Sequence, residues 1–282
     1  MEESIRKADI LIEAIPYIQA FRGKVIVAKY GGSAIDNPDA MKRILQDLIF
    51  LSSVGIRAIL VHGGGPAITR ALSTLGHKTA FVDGMRVTDD RTIRIVDREL
   101  SAVNRRLVSQ VQALGGHAEG LVARRGVIMA EPHRRAAELG FVGRVSMIRT
   151  GPIRMVLTRH AIPVISPIGV GNGQRYNINA DDVAAQVAMH LAAEKLVLLT
   201  NVRGILRRPG DERSLISTVS VRQAKRLMDT KVIQSGMIPK VKACSTALRG
   251  GVKKTHIIDA SIPHAMLLEI FTKQGIGTEI AR

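Results

Sequence analysis

The run Val25-Ile26-Val27-Ala28-Lys29-Tyr30, closed by Gly31-Gly32, decides how the rest of this chain is read. Six residues rich in β-branched and apolar types, bounded by glycine, predict a strand buried on both faces. A helix is expected from about Pro38 to Val54, then a second strand, Ala58-Ile59-Leu60-Val61, and a second glycine turn, His62-Gly63-Gly64-Gly65-Pro66, opening another helix. Strand, glycine turn and helix in that order imply parallel strands covered by helices.

The alternation continues outward in both directions. A helix is predicted from Asp90 to Leu114, ended by Gly115-Gly116, and Val127 to Thr150 breaks the rhythm as a hairpin over a substrate. The strand Ile162–Ile165, a helix from about Asp182 to Ala193 and the strand Leu196–Leu199 restore it, and the last third reads helix, helix, strand (Thr255 to Ile258), helix, strand. Upstream, apolar residues at Ile5, Ala8, Leu11, Ala14 or Ile15, and Ile18 keep helical spacing, with Pro16 expected to bend or interrupt that helix. The expected fold is a three-layer α/β/α sandwich with a mainly parallel sheet behind an N-terminal helix. Three regions follow: residues 1–22, an N-terminal lobe at 23–193 and a C-terminal lobe at 194–282, with a crevice at the carboxyl ends of the strands.

Composition narrows the function. Apolar residues make up 46% of 282, enough for a large core, but aromatics are 3% with no Trp, so the stacking platforms of single-strand binders are scarce. The 41 Lys and Arg against 24 Asp and Glu give +17, dispersed in short clusters such as Arg124-Arg125 and Arg207-Arg208. Such a surface draws in anionic metabolites and argues against a dedicated nucleic-acid face. One cysteine, Cys244, cannot form an internal disulfide, and neither a signal peptide nor a spanning segment is visible, so a cytoplasmic protein is expected.

Taken singly, the polar signals are weak. A glycine turn after a strand is often only a turn, and neither turn matches a dinucleotide fingerprint or a P-loop. Lys29 also suits a solvated strand end, Asp181 a helix start, Arg86 an exposed surface, and His62 a packed turn. Lys240, at the start of a helix, needs an anion nearby, because a cation there opposes the helix dipole. Order makes the case: after the two turns come Gly84-Met85-Arg86-Val87-Thr88, Tyr176-Asn177-Ile178-Asn179-Ala180-Asp181 and Gly236-Met237-Ile238-Pro239-Lys240-Val241. In this arrangement, from about Lys24 to Ala281, the chain resembles the acetylglutamate kinases of the amino-acid-kinase family.

The resemblance implies phosphoryl transfer from ATP, with Mg²⁺ bound through the nucleotide and no metal site of the protein's own, to the side-chain carboxylate of N-acetyl-L-glutamate. It marks Lys29, Lys240 and Asp181 as catalytic, and Gly64, Gly65, Arg86 and Asn177 as acceptor-binding. Gly31, Gly32, Lys195, Thr200, Asn201, Gly204, Gly236 and Met237 fall on the ATP side. Tyr17, His264, Glu269, Gly275 and Gly277 match the subgroup inhibited by L-arginine, in which dimers join through N-terminal helices into a hexamer. A carboxylate ionises near pH 4, so the acceptor needs no general base; it needs charge cancellation as two anions meet.

Four departures from the family pattern stand out. Asn201 replaces a usual Asp, Ser235 a usual Gly, the segment from Gly120 to Gly126 is more basic, and the chain is one residue short near Leu100 to Asn104. They leave two alternatives: a kinase for an aminoadipate-type or carrier-linked carboxylate, and a catalytically weak regulatory homologue.

Overall fold

The computed structural model describes residues 1–234, 236–272 and 275–282, so the expectation placed on Ser235 lies outside the described residues. After α1 (Glu2–Phe21) come β1 (Val25–Tyr30), a 3-10 turn at Gly32–Asp36, α2 (Pro38–Ser53), β2 (Arg57–His62) and α3 (Gly65–Thr74). A small hairpin, β3 (Phe81–Val82) with β4 (Met85–Arg86), leads into α4 (Asp90–Ala113) and β5 (Ala118–Leu121). The middle of the chain forms β6 (Ile128–Pro132), the single turn α5 (Ala136–Leu139), β7 (Gly143–Ile148), α6 (Thr150–Thr158), β8 (Ile162–Ile165), β9 (Ile168–Gly171) and β10 (Gln174–Asn177). Then follow α7 (Ala180–His190), β11 (Lys195–Thr200), β12 (Thr218–Ser220), α8 (Val221–Asp229), α9 (Met237–Arg249), β13 (Lys254–Asp259), α10 (Ala265–Phe271) and β14 (Thr278–Ala281).

The central sheet has eight strands in the order β12-β14-β13-β11-β1-β2-β8-β5, parallel throughout except where β14 runs against β13. This is the expected three-layer sandwich. Alternation along each strand sorts the core into two halves. Val27, Ile59, Val61, Leu196 and Leu198 pack with Val183 and Val187 of α7 and Cys244 and Ala247 of α9. Ile26, Ala28, Tyr30, Leu60, Val197 and Leu199 face the other way, onto Ile44 and Leu48 of α2, Leu107 of α4 and Met266 of α10.

Local chemistry sets where the helices begin. The Asn37 side chain accepts from the backbone N–H of Asp39 and Ala40 ahead of α2, with Pro38 as its first residue, and the Asp89 carboxylate accepts from Thr92 N–H at 2.7 Å ahead of α4. α8 starts with a reciprocal capping box between Ser220 and Gln223.

Three features differ from the sequence reading. α1 runs through Pro16 without interruption; its residues are largely solvent-exposed there, so water can serve the carbonyl that proline leaves unpaired. α7 begins at Ala180, earlier than expected, because the Asn179 side chain caps it by accepting from Asp181 N–H at 2.8 Å. The predicted hairpin between Val127 and Thr150 forms as antiparallel β6 and β7, and gains β9 and β10 to make a second sheet of four strands.

Candidate active site

Lys29 belongs to the odd-numbered face of β1, the face that packs against α7 and α9, and this parity brings it to the start of both helices. Its Nζ lies 2.8 Å from Asp181 Oδ1, while Lys240 Nζ donates to Asp181 Oδ2 at 2.9 Å. Three residues distant in sequence therefore share one carboxylate. The anion that Lys240 requires near a helix start is Asp181, itself in the first turn of α7, where negative charge is favoured.

Burial alone would raise the Asp181 carboxyl, but the two ammonium groups more than offset it and hold the group below the usual carboxylate range. For Lys29 burial is the largest influence and lowers its ammonium from the ordinary value, with Lys240 adding and Asp181 opposing. Within the triad each ammonium group thus meets one oxygen of the shared carboxylate, and two cations stand against one anion.

Beside it opens a cavity of about 680 Å³ between the glycine turns, the β3–β4 hairpin and the second sheet. Lys29, Asp181, Gly32, Gly64, Gly65, Arg86 and Asn177 all reach its wall. At Gly31 and Gly64 proximity leaves little room for a side chain. A Cβ at Gly31 would sit 3.2 Å from Gly63 Cα and 3.0 Å from Lys29 Nζ, and one at Gly64 would meet Leu100 Cδ2 at 2.5 Å. Without side chains the two turns lie back to back, tied by Gly63 N–H to Tyr30 O at 2.8 Å, with backbone N–H groups free to approach an anion.

Arg86 is buried, at 7% exposure, yet has no carboxylate partner among the described residues. It donates to Thr69 Oγ1 at 2.8 Å, Gly65 O at 3.2 Å and Thr79 Oγ1 at 3.3 Å, and its guanidinium carbon lies 4.7 Å from the centre of the Phe81 ring. Burial lowers its pKa from the usual arginine value without discharging it. Asn177 Nδ2 donates to Thr88 Oγ1 at 3.3 Å, which fixes its amide at the cavity wall.

His62 is a packed residue. It is fully buried and its pKa is pushed down to about 4 by burial. A neutral ring is consistent with both contacts: Nδ1–H donates to Gly63 O at 2.8 Å and Nε2 accepts from Asn104 Nδ2 at 3.1 Å. Asn104 also donates to Val164 O at 2.8 Å, so it pins the second glycine turn to α4 and β8. Sequence reasoning missed this role; an Asn inside an amphipathic helix, on its buried stripe, was the available signal. It also missed Phe81, Arg134 and Arg144 on the cavity wall.

The residues expected on the ATP side do not form one surface. Gly31 and Gly32 lie at the cleft, and Gly236 and Met237 open α9 just ahead of Lys240. Thr200 and Asn201 stand at the carboxyl end of β11, lining a small hollow of about 180 Å³ with Asn37, Asp259 and Ser261. Gly204 packs under β14, where a Cβ would meet Thr278 Oγ1 at 2.5 Å. Lys195 is at the opposite end of β11 from the cleft, buried with its Nζ 5.2 Å from the Phe21 ring centre; strand direction places it there and corrects the expectation of a nucleotide contact.

The expected regulatory residues cluster around α10. Tyr17 meets Phe271 edge to face, Glu269 accepts from Ile276 N–H at 2.8 Å and lies 2.6 Å from His256, and Gly275 passes close beside Glu269. His264, in a left-handed conformation, pairs with the fully buried Asp47 at 2.7 Å, and Gly277 lets the backbone pass Ile257 O.

Comparison with known proteins gives a consistent picture. Residues 24–259 match the profile described as the amino acid kinase family. The acetylglutamate kinase of Caldanaerobacter subterraneus subsp. tengcongensis is 45% identical over 99% of this chain and 95% of its own. That of Moorella thermoacetica is 46% identical over 98% and 97%. Among solved structures, the N-acetylglutamate synthase of Neisseria gonorrhoeae complexed with coenzyme A and N-acetyl-glutamate superposes with a TM-score of 0.86 at 28% identity, covering 96% of this chain and 62% of that one. Carbamate kinase from Giardia lamblia bound to AMP-PNP gives 0.69 at 16% identity, covering 92% and 99%, a likeness of fold.

Proposed function

This chain belongs to the amino acid kinase family, with the acetylglutamate kinases as its full-length relatives, and from that premise we propose that its cleft transfers the γ-phosphoryl group of ATP to the side-chain carboxylate of N-acetyl-L-glutamate, a step of arginine biosynthesis. The observation that carries the reading is the Lys29–Asp181–Lys240 triad on the edge of a cavity whose buried Arg86 has no carboxylate partner among the described residues.

The acceptor carboxylate is already an anion at neutral pH, so no residue must take its proton. What opposes reaction is repulsion between that anion and the polyphosphate. Lys29 and Lys240 supply positive charge where the equatorial oxygens of the moving group accumulate negative charge, and Asp181 fixes both ammonium groups before the substrates arrive. The planar fork of Arg86 suits the second carboxylate of the acceptor, and Asn177 its amide. The backbone at Gly64 and Gly65 approaches the reacting end. Magnesium, carried on the phosphate oxygens of ATP, supplies further charge neutralisation; Asp181, with both oxygens engaged by ammonium groups, fits a metal held by the nucleotide better than one held by the protein.

The division of labour follows the two lobes: residues 23–193 hold the acceptor and residues 194–282 the nucleotide. α1 exposes Ile5, Leu11, Ile12 and Ile15 along its length, an apolar stripe suited to burial against a second copy. With the cluster at Tyr17, His264, Glu269, Gly275 and Gly277, it supports a homodimer that assembles into a hexamer as a trimer of dimers and responds to L-arginine. No described helix is long and apolar enough to cross a membrane, and a cytoplasmic location accords with the substrates.

The test is a hydroxylamine trap for acyl phosphate, run with ATP and Mg²⁺ over N-acetylglutamate, N-acetylaminoadipate, glutamate and aspartate. N-acetylglutamate should give the highest kcat/KM. Preference for the aminoadipate compound, or no hydroxamate with any acceptor, would overturn the reading.

A further inference from the structure

The segment His133-Arg134-Arg135 runs between β6 and α5 along the mouth of the main cavity. Arg135 is occupied by acids: it pairs with Asp83 at the tip of the β3–β4 hairpin and with Glu138 at 2.6 Å. Arg144, across the mouth on β7, pairs with Glu131 at 3.1 Å. Arg134 lines the same cavity, is solvent-exposed, and has no hydrogen-bond or ion-pair partner among the described residues. Among the described residues Arg86 is likewise a cavity guanidinium without an acid partner. Of the two acids on the wall, Asp181 is taken by two lysines. Asp182 has no ion pair among the described residues; burial and the neighbouring Asp181 push its carboxyl up to about 6, and it also borders a hollow of about 220 Å³ beside Gln186 and Thr246.

Among the described residues the cavity therefore presents two guanidinium groups without an acid partner, against the single unpaired carboxylate of Asp182, to whatever enters it. An acceptor with a free α-amino group would bring an ammonium into that field, whereas an N-acylated acceptor brings only carboxylates and a neutral amide. We propose that Arg134 is a specificity-determining residue which, together with Arg86, selects acceptors whose amino group is blocked. The selection works by repulsion of the wrong acceptor as well as attraction of the right one. This rests on the acetylglutamate kinase reading, because it concerns the choice made by that same site.

The experiment measures kcat and KM for N-acetylglutamate and for glutamate with the full-length wild type, Arg134→Gln, Arg134→Glu and a control, Arg154→Glu, which makes the same change of charge at an exposed site on α6 outside the cavity wall. Arg134→Glu should raise KM for N-acetylglutamate about tenfold with little change in kcat, and shift the ratio of kcat/KM values toward glutamate by at least about tenfold, with Arg134→Gln intermediate. The control should leave that ratio unchanged. An unaltered ratio in both Arg134 variants, or an equal shift in the control, overturns the inference while the function stands. A wild type that phosphorylates neither acceptor overturns the functional reading itself.

Discussion

Lys29 and Asp181 form an ion pair of 2.8 Å deep in the cleft, their side chains only 8% and 6% exposed. A carboxylate so placed would be costly without compensation, and one lysine would leave its second oxygen bare. Lys240 completes the arrangement from the other helix.

Replacing Lys240 with Ala should lower kcat by roughly 10²–10³ while changing KM for N-acetylglutamate little, since the ammonium acts on charge that develops during transfer. Steady-state kinetics over both substrates check this. A rise in KM with kcat preserved would mean that the residue binds acceptor instead.

Arg86→Ala should do the reverse, raising acceptor KM by about 10- to 100-fold with a smaller effect on kcat, because it removes a charged fork used in ground and transition state alike. The affinity for ATP, read by nucleotide titration, should stay near the wild-type value.

Asp181→Asn leaves the buried Lys29 ammonium facing the half-buried one of Lys240. Stability should fall by roughly 3 kcal/mol and activity should collapse together with it, both visible in parallel denaturation and rate measurements.

The pH profile follows from the lowered pKa of Lys29. The folded protein releases this proton below the usual 10.5, and catalysis needs the charged form, so kcat should fall as pH rises through a value below 10.5. The contribution to stability has the opposite sign: the unfolded chain keeps the proton up to 10.5, so the cost of burying this charge fades as pH rises through that window. Comparing kcat with chemical denaturation between pH 7 and 10 separates the two effects.

Asn104→Ala removes the donor to His62 and Val164 and should cost about 1–2 kcal/mol, while loosening the second glycine turn. With His62 pushed down to about 4 from 6.5, the unfolded chain binds its proton first as pH falls. The stability that the neutral ring provides is complete above 6.5 and is lost as pH drops toward 4. Denaturation midpoints across pH 4 to 7 report it.

Glycine turns and apolar strands made the parallel sandwich legible before any coordinates, because a strand buried on both faces has few alternatives to Val, Ile, Leu and Ala, and a backbone that must approach an anion has few alternatives to glycine. The second sheet was only half legible: β6 and β7 could be read as a hairpin, but their pairing with β9 depends on the chain returning from β8. Lys195 shows the opposite failure. It sits in a strand the sequence identifies well, and only strand direction tells that it lies at the end away from the cleft.

What the sequence determined by itself was the alternation of strand and helix, the glycine-lined crevice and the set of cations available for it. Which cation meets which acid was decided by tertiary structure. Odd positions of β1 face α7 and α9, so Lys29, Asp181 and Lys240 converge, and Arg86 and Arg134 on the cavity wall have no acid partner among the described residues. The physical reason is that side-chain periodicity is local and can be read along the chain, whereas the pairing of charges depends on distances that exist only once the layers have packed.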